Sequence, residues 1–247
     1  MQLDHRMTSR KRYRLRMDTR RNMVRALFPG DEINGARQHV KLILLPSDVQ
    51  HSGIADDIPD FLVTDSMVHR FLEAEPPPFM VIPEYEQVIR EIEQAYVIGL
   101  FFSALAASCV AIERTLNLVR VKLHRHHKPI KALWEKGATN DWVENIDALE
   151  AWGYLDDALA EELRAIYRDI RCSYLHSGTR YDFSADAIRC VRAAYRLMGI
   201  FLGFPNDLFD VDQGRFACKK PDDPRFLEFY KPSMEEVGDG EDESSTP

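Results

Sequence analysis

The sequence lacks the marks of several protein classes. Its 247 residues hold four cysteines (Cys109, Cys172, Cys190, Cys218) with no Cys-x-x-Cys pair among them, and the first three fall in helical patterns where a small apolar residue would serve. A disulfide framework is therefore not expected, and a reducing, cytoplasmic setting suits the chain. No apolar stretch follows the charged residues at the start, so no secretory signal is read there. The same stretch is rich in Arg but poor in Ser and Ala, unlike an organelle transit peptide. Excess positive charge is missing as well: the formal net charge is -8, which argues against a surface built throughout for nucleic acid. No internal repeat is visible.

What is present is enough to bury a core. A composition of 45% hydrophobic and 29% charged residues fits one medium domain with appendages, or two small ones. The charge is unevenly placed. Residues 1 to 25 carry nine bases (Arg6, Arg10, Lys11, Arg12, Arg14, Arg16, Arg20, Arg21, Arg25) against Asp4 and Asp18, forming a basic arm. Residues 235 to 243 carry six acids and no base and lead into Ser-Ser-Thr-Pro, so a disordered acidic tail is expected from 234 to 247.

Between these ends the chain reads as mainly α, a helical bundle over 84–204. An irregular N-terminal extension over 1–83 precedes it, and a surface-wrapping segment over 205–233 follows. In the extension, Val40 to Leu45 is a short apolar run closed by Pro46 and reads as a strand or buried edge segment. Glu84 to His127 contains no proline and is helical throughout. One straight helix of that length would span ~66 Å at 1.5 Å per residue, too long for the domain, so a break is expected at Gly99. The uncharged run Ala95 to Ile112 reaches the lower limit for a membrane span. A central helix buried on all sides by its neighbours explains it as well, and no membrane partner is read.

Three further helices are expected. Asp141 to Trp152 is closed by Gly153, Asp156 caps a helix running to about His176, and Ser184 to Leu202 repeats Ile188, Val191, Tyr195, Met198 and Leu202 at helical spacing.

Within the second of these lies Ile170-Arg171-Cys172-Ser173-Tyr174-Leu175-His176-Ser177-Gly178. This segment resembles the Arg-x4-His signature of the HEPN (higher eukaryotes and prokaryotes nucleotide-binding) family, in which a helical bundle carries the motif on a late helix. The order of helices resembles it too, beginning with the Ala-rich helix that contains Ala111-Ile112-Glu113-Arg114. The likeness covers residues 85 to 203. It implies an RNA-directed protein, in its active form a metal-independent endoribonuclease of a bacterial defence or toxin system, working as a homodimer through the motif helix and open to an antitoxin or other protein partner. In that chemistry the ribose 2'-hydroxyl attacks its own phosphodiester. His176 could carry the proton and Arg171 could hold the phosphorane charge. No cofactor or metal is implied.

Helical geometry bears on that assignment. Five residues at 100° each set Arg171 and His176 about 140° apart on an ideal helix, so a second protomer is needed to bring them together. Asp169, Cys172 and His176 instead share a stripe at i, i+3 and i+7, and Asp169, Cys172, Glu113 and Tyr174 are candidate supporting residues. Family members often place a polar Asn after the Arg, where this chain has Cys172. Arg171 paired with Asp169 or Glu113 is the structural alternative. A Cys-His-Asp nucleophilic set on one helix lacks an oxyanion element and freedom to reach a carbonyl.

Two basic groups could meet nucleic acid. Arg189, Arg192 and Arg196 lie at i, i+3 and i+7, with surface ion pairing as the equal alternative. The run Leu123-His124-Arg125-His126-His127-Lys128 offers His124, Arg125 and His127 as a phosphate grip or a solvated helix end. Adjacent histidines point apart, so it is not read as a metal site. Trp134, Trp142, Trp152 and Tyr154 could stack on bases or fill the core.

Overall fold

A computed structural model describes residues 12–15, 32–44, 59, 62–74, 80, 83–128, 141–175, 182–203, 205–212 and 215–237. Its elements in chain order are β1 (Arg12–Leu15), α1 (Glu32–Leu44), α2 (Asp65–Ala74), α3 (Pro83–Ile98), α4 (Phe101–His127) and α5 (Trp142–Ala151). Then come α6 (Asp157–Ala165), a π-helical turn (Ile166–Arg171), α7 (Cys172–Leu175), α8 (Phe183–Leu202), β2 (Phe209–Asp212) and β3 (Arg215–Cys218). A second π-helical turn (Phe226–Tyr230) and β4 (Met234–Val237) complete the order. The protein is mainly α, a helical bundle.

The long helix does break at the glycine. Gly99 has φ +92°, its N–H donates to the Tyr96 carbonyl, and Leu100 N–H donates to the Ala95 carbonyl. That pair of bonds is a Schellman closure, which needs a left-handed residue that glycine adopts without a Cβ clash. Gly153, at φ +78°, ends α5 by the same device. Helix starts follow side-chain caps: Asp141 accepts from Glu144 N–H, Asp156 from Leu159 N–H and Asp182 from Ala185 N–H.

Helix α4 is the spine of the bundle, packed chiefly on α8 and also on α3 and α5. Leu105, Ile112, Leu116, Val119 and Leu123 from α4 meet Ile92, Tyr96, Ile146, Leu163, Val191, Leu197 and Phe201 in one core. Each large aliphatic side chain so buried stabilises the fold by ~1.5–3 kcal/mol. Among the described residues α4 is also the one helix long and apolar enough to cross a membrane by length and composition, with half of its most apolar window buried. The run Ala95 to Ile112 is not buried on all sides, because Leu100, Phe102 and Val110 are exposed.

Three segments differ from the sequence reading. Val40 to Leu44 is not a strand but the end of α1, where Ala36, Val40 and Ile43 bury one helical face against Val63, Val68 and Val97; Leu45 lies outside the described residues. Four or five apolar residues suit either period, and the Ala36 position that decides for helix lies outside the run. The segment over 205–233 does not merely wrap the surface, since Leu208, Phe209, Cys218, Phe226, Phe229 and Tyr230 all enter the main core. Its aromatics outweigh the Asp and Pro between them. Lastly, the acidic tail begins with a strand: the sheet order is β2-β3-β1-β4, all antiparallel, so β4 closes against the basic arm.

Candidate functional site

The motif sits where a regular helix changes pitch. Ile166 and Ile170 are both buried, and Cys172 N–H donates to the Tyr167 carbonyl five residues back, which widens the turn ending at Arg171. Such π turns recur at functional sites because they rotate the residues that follow. A turn bonded i to i+5 sets Asp169 and Cys172 further apart around the axis than an α-helix does. His176 lies outside the described residues.

Arg171 is held on three sides. Its Nη2 donates to Glu113 Oε2 on α4 at 2.9 Å, and its guanidinium carbon stands 5.6 Å from the Trp142 ring centre and 5.5 Å from that of Tyr167. The Arg171 and Glu113 side chains keep 21% and 31% of their exposure, so the pair is reachable from solvent. Trp142 Nε1 is buried beside it and has no hydrogen-bond partner among the described residues. Of the two carboxylates considered for Arg171, Glu113 is the partner; Asp169 accepts two hydrogen bonds from Arg168 instead, at 2.9 and 3.0 Å.

Helix α7 is fastened to α8. Tyr174 Oη donates to Asp186 Oδ2 at 2.9 Å, and the Tyr174 ring lies 5.0 Å from that of Phe183. Asp186 is fully buried. Sequence reasoning missed it, although an acid in the stripe Asp186, Cys190, Ala193, Leu197 breaks an otherwise apolar face and signals a partnered buried charge. Cys172 is half-buried at the start of α7.

The basic stripe is engaged within the fold. Arg189 forks onto Glu162 with both contacts at 3.1 Å, and hydrogen bonding to Glu162 raises its pKa further. Arg192 donates twice to the Glu73 carbonyl, at 3.2 and 2.5 Å. Arg196 lies 3.9 Å from Asp156. Ion pairing accounts for Arg189 and Arg196, and a backbone carbonyl of α2 for Arg192.

The histidines at the end of α4 diverge as adjacent helical positions must. His124 is buried, its Nδ1 meets Arg120, and its ring lies 6.0 Å from Trp152. His127 stacks on Trp152 at 4.5 Å and 8°, and its Nε2 lies 3.0 Å from Tyr154 Oη. Burial, then the neighbouring His126 and His124, lowers the His127 pKa. The Arg120 guanidinium carbon stands 4.6 Å from the Trp152 ring centre, so this tryptophan packs against both Arg120 and His127. Arg125 and His126 both reach Glu228, with Arg125 Nε at 2.9 Å and His126 Nε2 at 2.8 Å. Burial alone would raise the Glu228 carboxyl, yet these bonds hold it below its ordinary value. The phosphate-grip candidates His124, Arg125 and His127 are thus all engaged. No group of three metal-binding side chains occurs among the described residues. Trp134 lies outside them.

Glu228 was not anticipated from the sequence, where it is one acid in an aromatic run, 102 positions and more from the cationic end of α4 that it meets. Comparison with protein-family models, curated proteins and solved structures finds no match.

Proposed function

We propose that this chain is an RNA-directed protein of the HEPN type, acting as a metal-independent endoribonuclease of a bacterial defence or toxin system. The observation that carries the reading is the widened π turn that ends at Arg171, with the guanidinium set between Trp142 and Tyr167 and still open to solvent. A guanidinium positioned this way loses little freedom on meeting a phosphate, and its remaining donors match phosphate geometry. His176, five residues on, is the proton carrier in this reading. Two protomers would supply Arg171 and His176 to one composite site, since five residues on an ideal helix set the two about 140° apart.

A second reading is favoured by the partner Arg171 already has. Its bond to Glu113 must open or be shared before phosphate can be held, and Cys172 replaces a polar neighbour with a weak hydrogen bonder. The chain would then be a non-catalytic module that binds RNA or a protein partner. Incubation with total RNA in EDTA separates the two. Cyclic-phosphate ends that vanish in both Arg171→Ala and His176→Ala favour the nuclease. RNA retention without new ends favours the binding module. A chain that stays monomeric at micromolar concentration while still cutting would refute the composite site.

A further inference from the structure

The spine helix α4 buries one side and leaves another open along its length. At 100° per residue, Ser103, Ala107, Val110, Arg114, Leu118 and Val121 share a stripe ~80° wide. None of them is buried, and Val110 and Val121 keep 47% and 39% of their exposure. Single exposed aliphatics are ordinary, but a row of them on the helix that organises the core is not.

The row is graded in size. Ser103, Ala106 and Ala107 make its first half and Asn117, Leu118 and Val121 its second, with Val110 and Arg114 between. Such a face matches itself when reversed. A copy running antiparallel about a two-fold axis at the level of residue 112 sets the partner's Val121 on Ser103, the partner's Leu118 on Ala106 and the partner's Arg114 on Val110, large on small throughout. A parallel copy would instead stack valine on valine and face arginine with arginine.

Charge favours the same arrangement. Arg114 is exposed and has no hydrogen bond or ion pair among the described residues. Glu113 lies at the edge of the same face, with 31% of its side chain still exposed beside its bond to Arg171. In the antiparallel pair the partner subunit's Arg114 stands opposite Val110, about 4.5 Å along the axis from the level of Glu113, within reach of a guanidinium. A two-fold axis normal to the pair also brings both Glu113–Arg171 pairs to one side. A lipid surface fits less well, because Glu113, Arg114 and Lys122 interrupt or border the row with charge.

We propose that the open face of α4 seats a second copy of this chain, antiparallel, and that the partner subunit's Arg114 takes up Glu113 and thereby frees Arg171 for phosphate. Glu113 exchanges one guanidinium for another, so its charge stays paired. Arg171 keeps its place beside Trp142 and Tyr167 and regains the donors that phosphate needs. The contact lies on α4 rather than on the motif helix. Only the release of Arg171 rests on the function proposed above.

The test uses the full chain. Without RNA, sedimentation equilibrium should give a dimer at micromolar concentration. Val110→Asp buries a charge in the contact and should weaken the dimer ~10-fold or more. Arg114→Gln should weaken it up to ~5-fold. Both positions are exposed, so each variant should melt where the parent does. With Ser103→Cys and Val121→Cys together, mild oxidation should join position 103 to position 121 of the partner, as mapped by mass spectrometry; Ser103→Cys alone should not join to itself. A monomeric parent, a dimer indifferent to Val110→Asp, a 103-to-103 cross-link, or a chain that floats with phosphatidylcholine vesicles would each overturn the contact.

For the release, a fluorescent single-stranded RNA is read by anisotropy at concentrations where parent and Arg114→Gln are both dimeric. Arg114→Gln should bind up to ~5-fold more weakly, and that loss should vanish in a Glu113→Gln background, where Arg171 is already free. A loss that persists there would make Arg114 a direct RNA contact, and no loss in either background would leave Arg171 held; both results overturn the release. Cleavage by a monomeric chain refutes the contact and spares the nuclease reading. A dimer with the mapped cross-link that neither binds nor cuts RNA refutes that reading and spares the contact.

Discussion

Replacing Arg171 by Ala should cost stability as well as any activity, and the size of that cost can be built from its contacts. The ion pair with Glu113 joins two partly exposed side chains, so it contributes ~0.2–1 kcal/mol rather than the larger figure for a buried pair. Each ring beside the guanidinium adds ~0.5–1 kcal/mol at such partly exposed sites. The sum is ~1–3 kcal/mol, and at ~2–4 °C per kcal/mol for a chain of this size the melting temperature should fall by roughly 2–12 °C. Calorimetry on parent, Arg171→Ala, Glu113→Ala and the double variant measures it, with a coupling between the two positions of ~0.2–1 kcal/mol. A melting temperature within a degree of the parent for Arg171→Ala would refute the held guanidinium. Zero coupling would refute the Glu113 partnership. The result matters for function, because loss of cleavage in Arg171→Ala is informative only below the lowered melting temperature.

Glu228→Gln removes the charge that Arg125 and His126 meet. Since that carboxyl is held low in the folded state, its contribution is present above its ordinary range near pH 4.3 and lost as pH falls through the lower folded value. The stability gap between parent and Glu228→Gln in denaturant titrations should therefore be about 1 kcal/mol at pH 7 and close below pH 4. A gap unchanged at pH 3 would count against the assignment. Thiol labelling of the native chain should modify Cys172 first. Cys190, with its thiol raised by a hydrogen bond to Cys109 and by burial, should resist until unfolding, and fast labelling of Cys190 would contradict its place between α4 and α8. Gly99→Ala should destabilise by about 1 kcal/mol. The added Cβ meets only ordinary contact with Arg70 at 3.6 Å, so the left-handed backbone is the cause. A neutral or stabilising result in thermal melts would show that the chain adopts another φ at that turn.

The helices from residue 84 onward were legible because their signals are local, whereas α1 and α2 were not. Asp141, Asp156 and Gly153 announce ends that the backbone then adopts, and Gly99 breaks a run too long for the domain. The core face of α8 follows from spacing alone, as Val191, Tyr195, Met198 and Leu202 are all buried. Charge segregation at the two ends is likewise a property of sequence.

Pairing across the chain was not legible, and the functional reading turns on it. Nothing near Arg171 specifies Glu113, 58 positions away, over Asp169, two away; the packing of α4 against the π turn decides it. The same holds for Glu228 with Arg125 and His126, whose separations exceed 100 positions, and for the Arg189 stripe, which reads as a nucleic-acid track until α6 and α2 bring acids and a carbonyl to it. Sequence by itself determined where the helices lie from residue 84 onward, where they stop and where charge accumulates, because propensity, capping and periodicity act over a few residues. Tertiary structure alone decided which charges are already neutralised. A cation's availability depends on what the fold carries to within hydrogen-bond reach, and that distance has no counterpart along the chain.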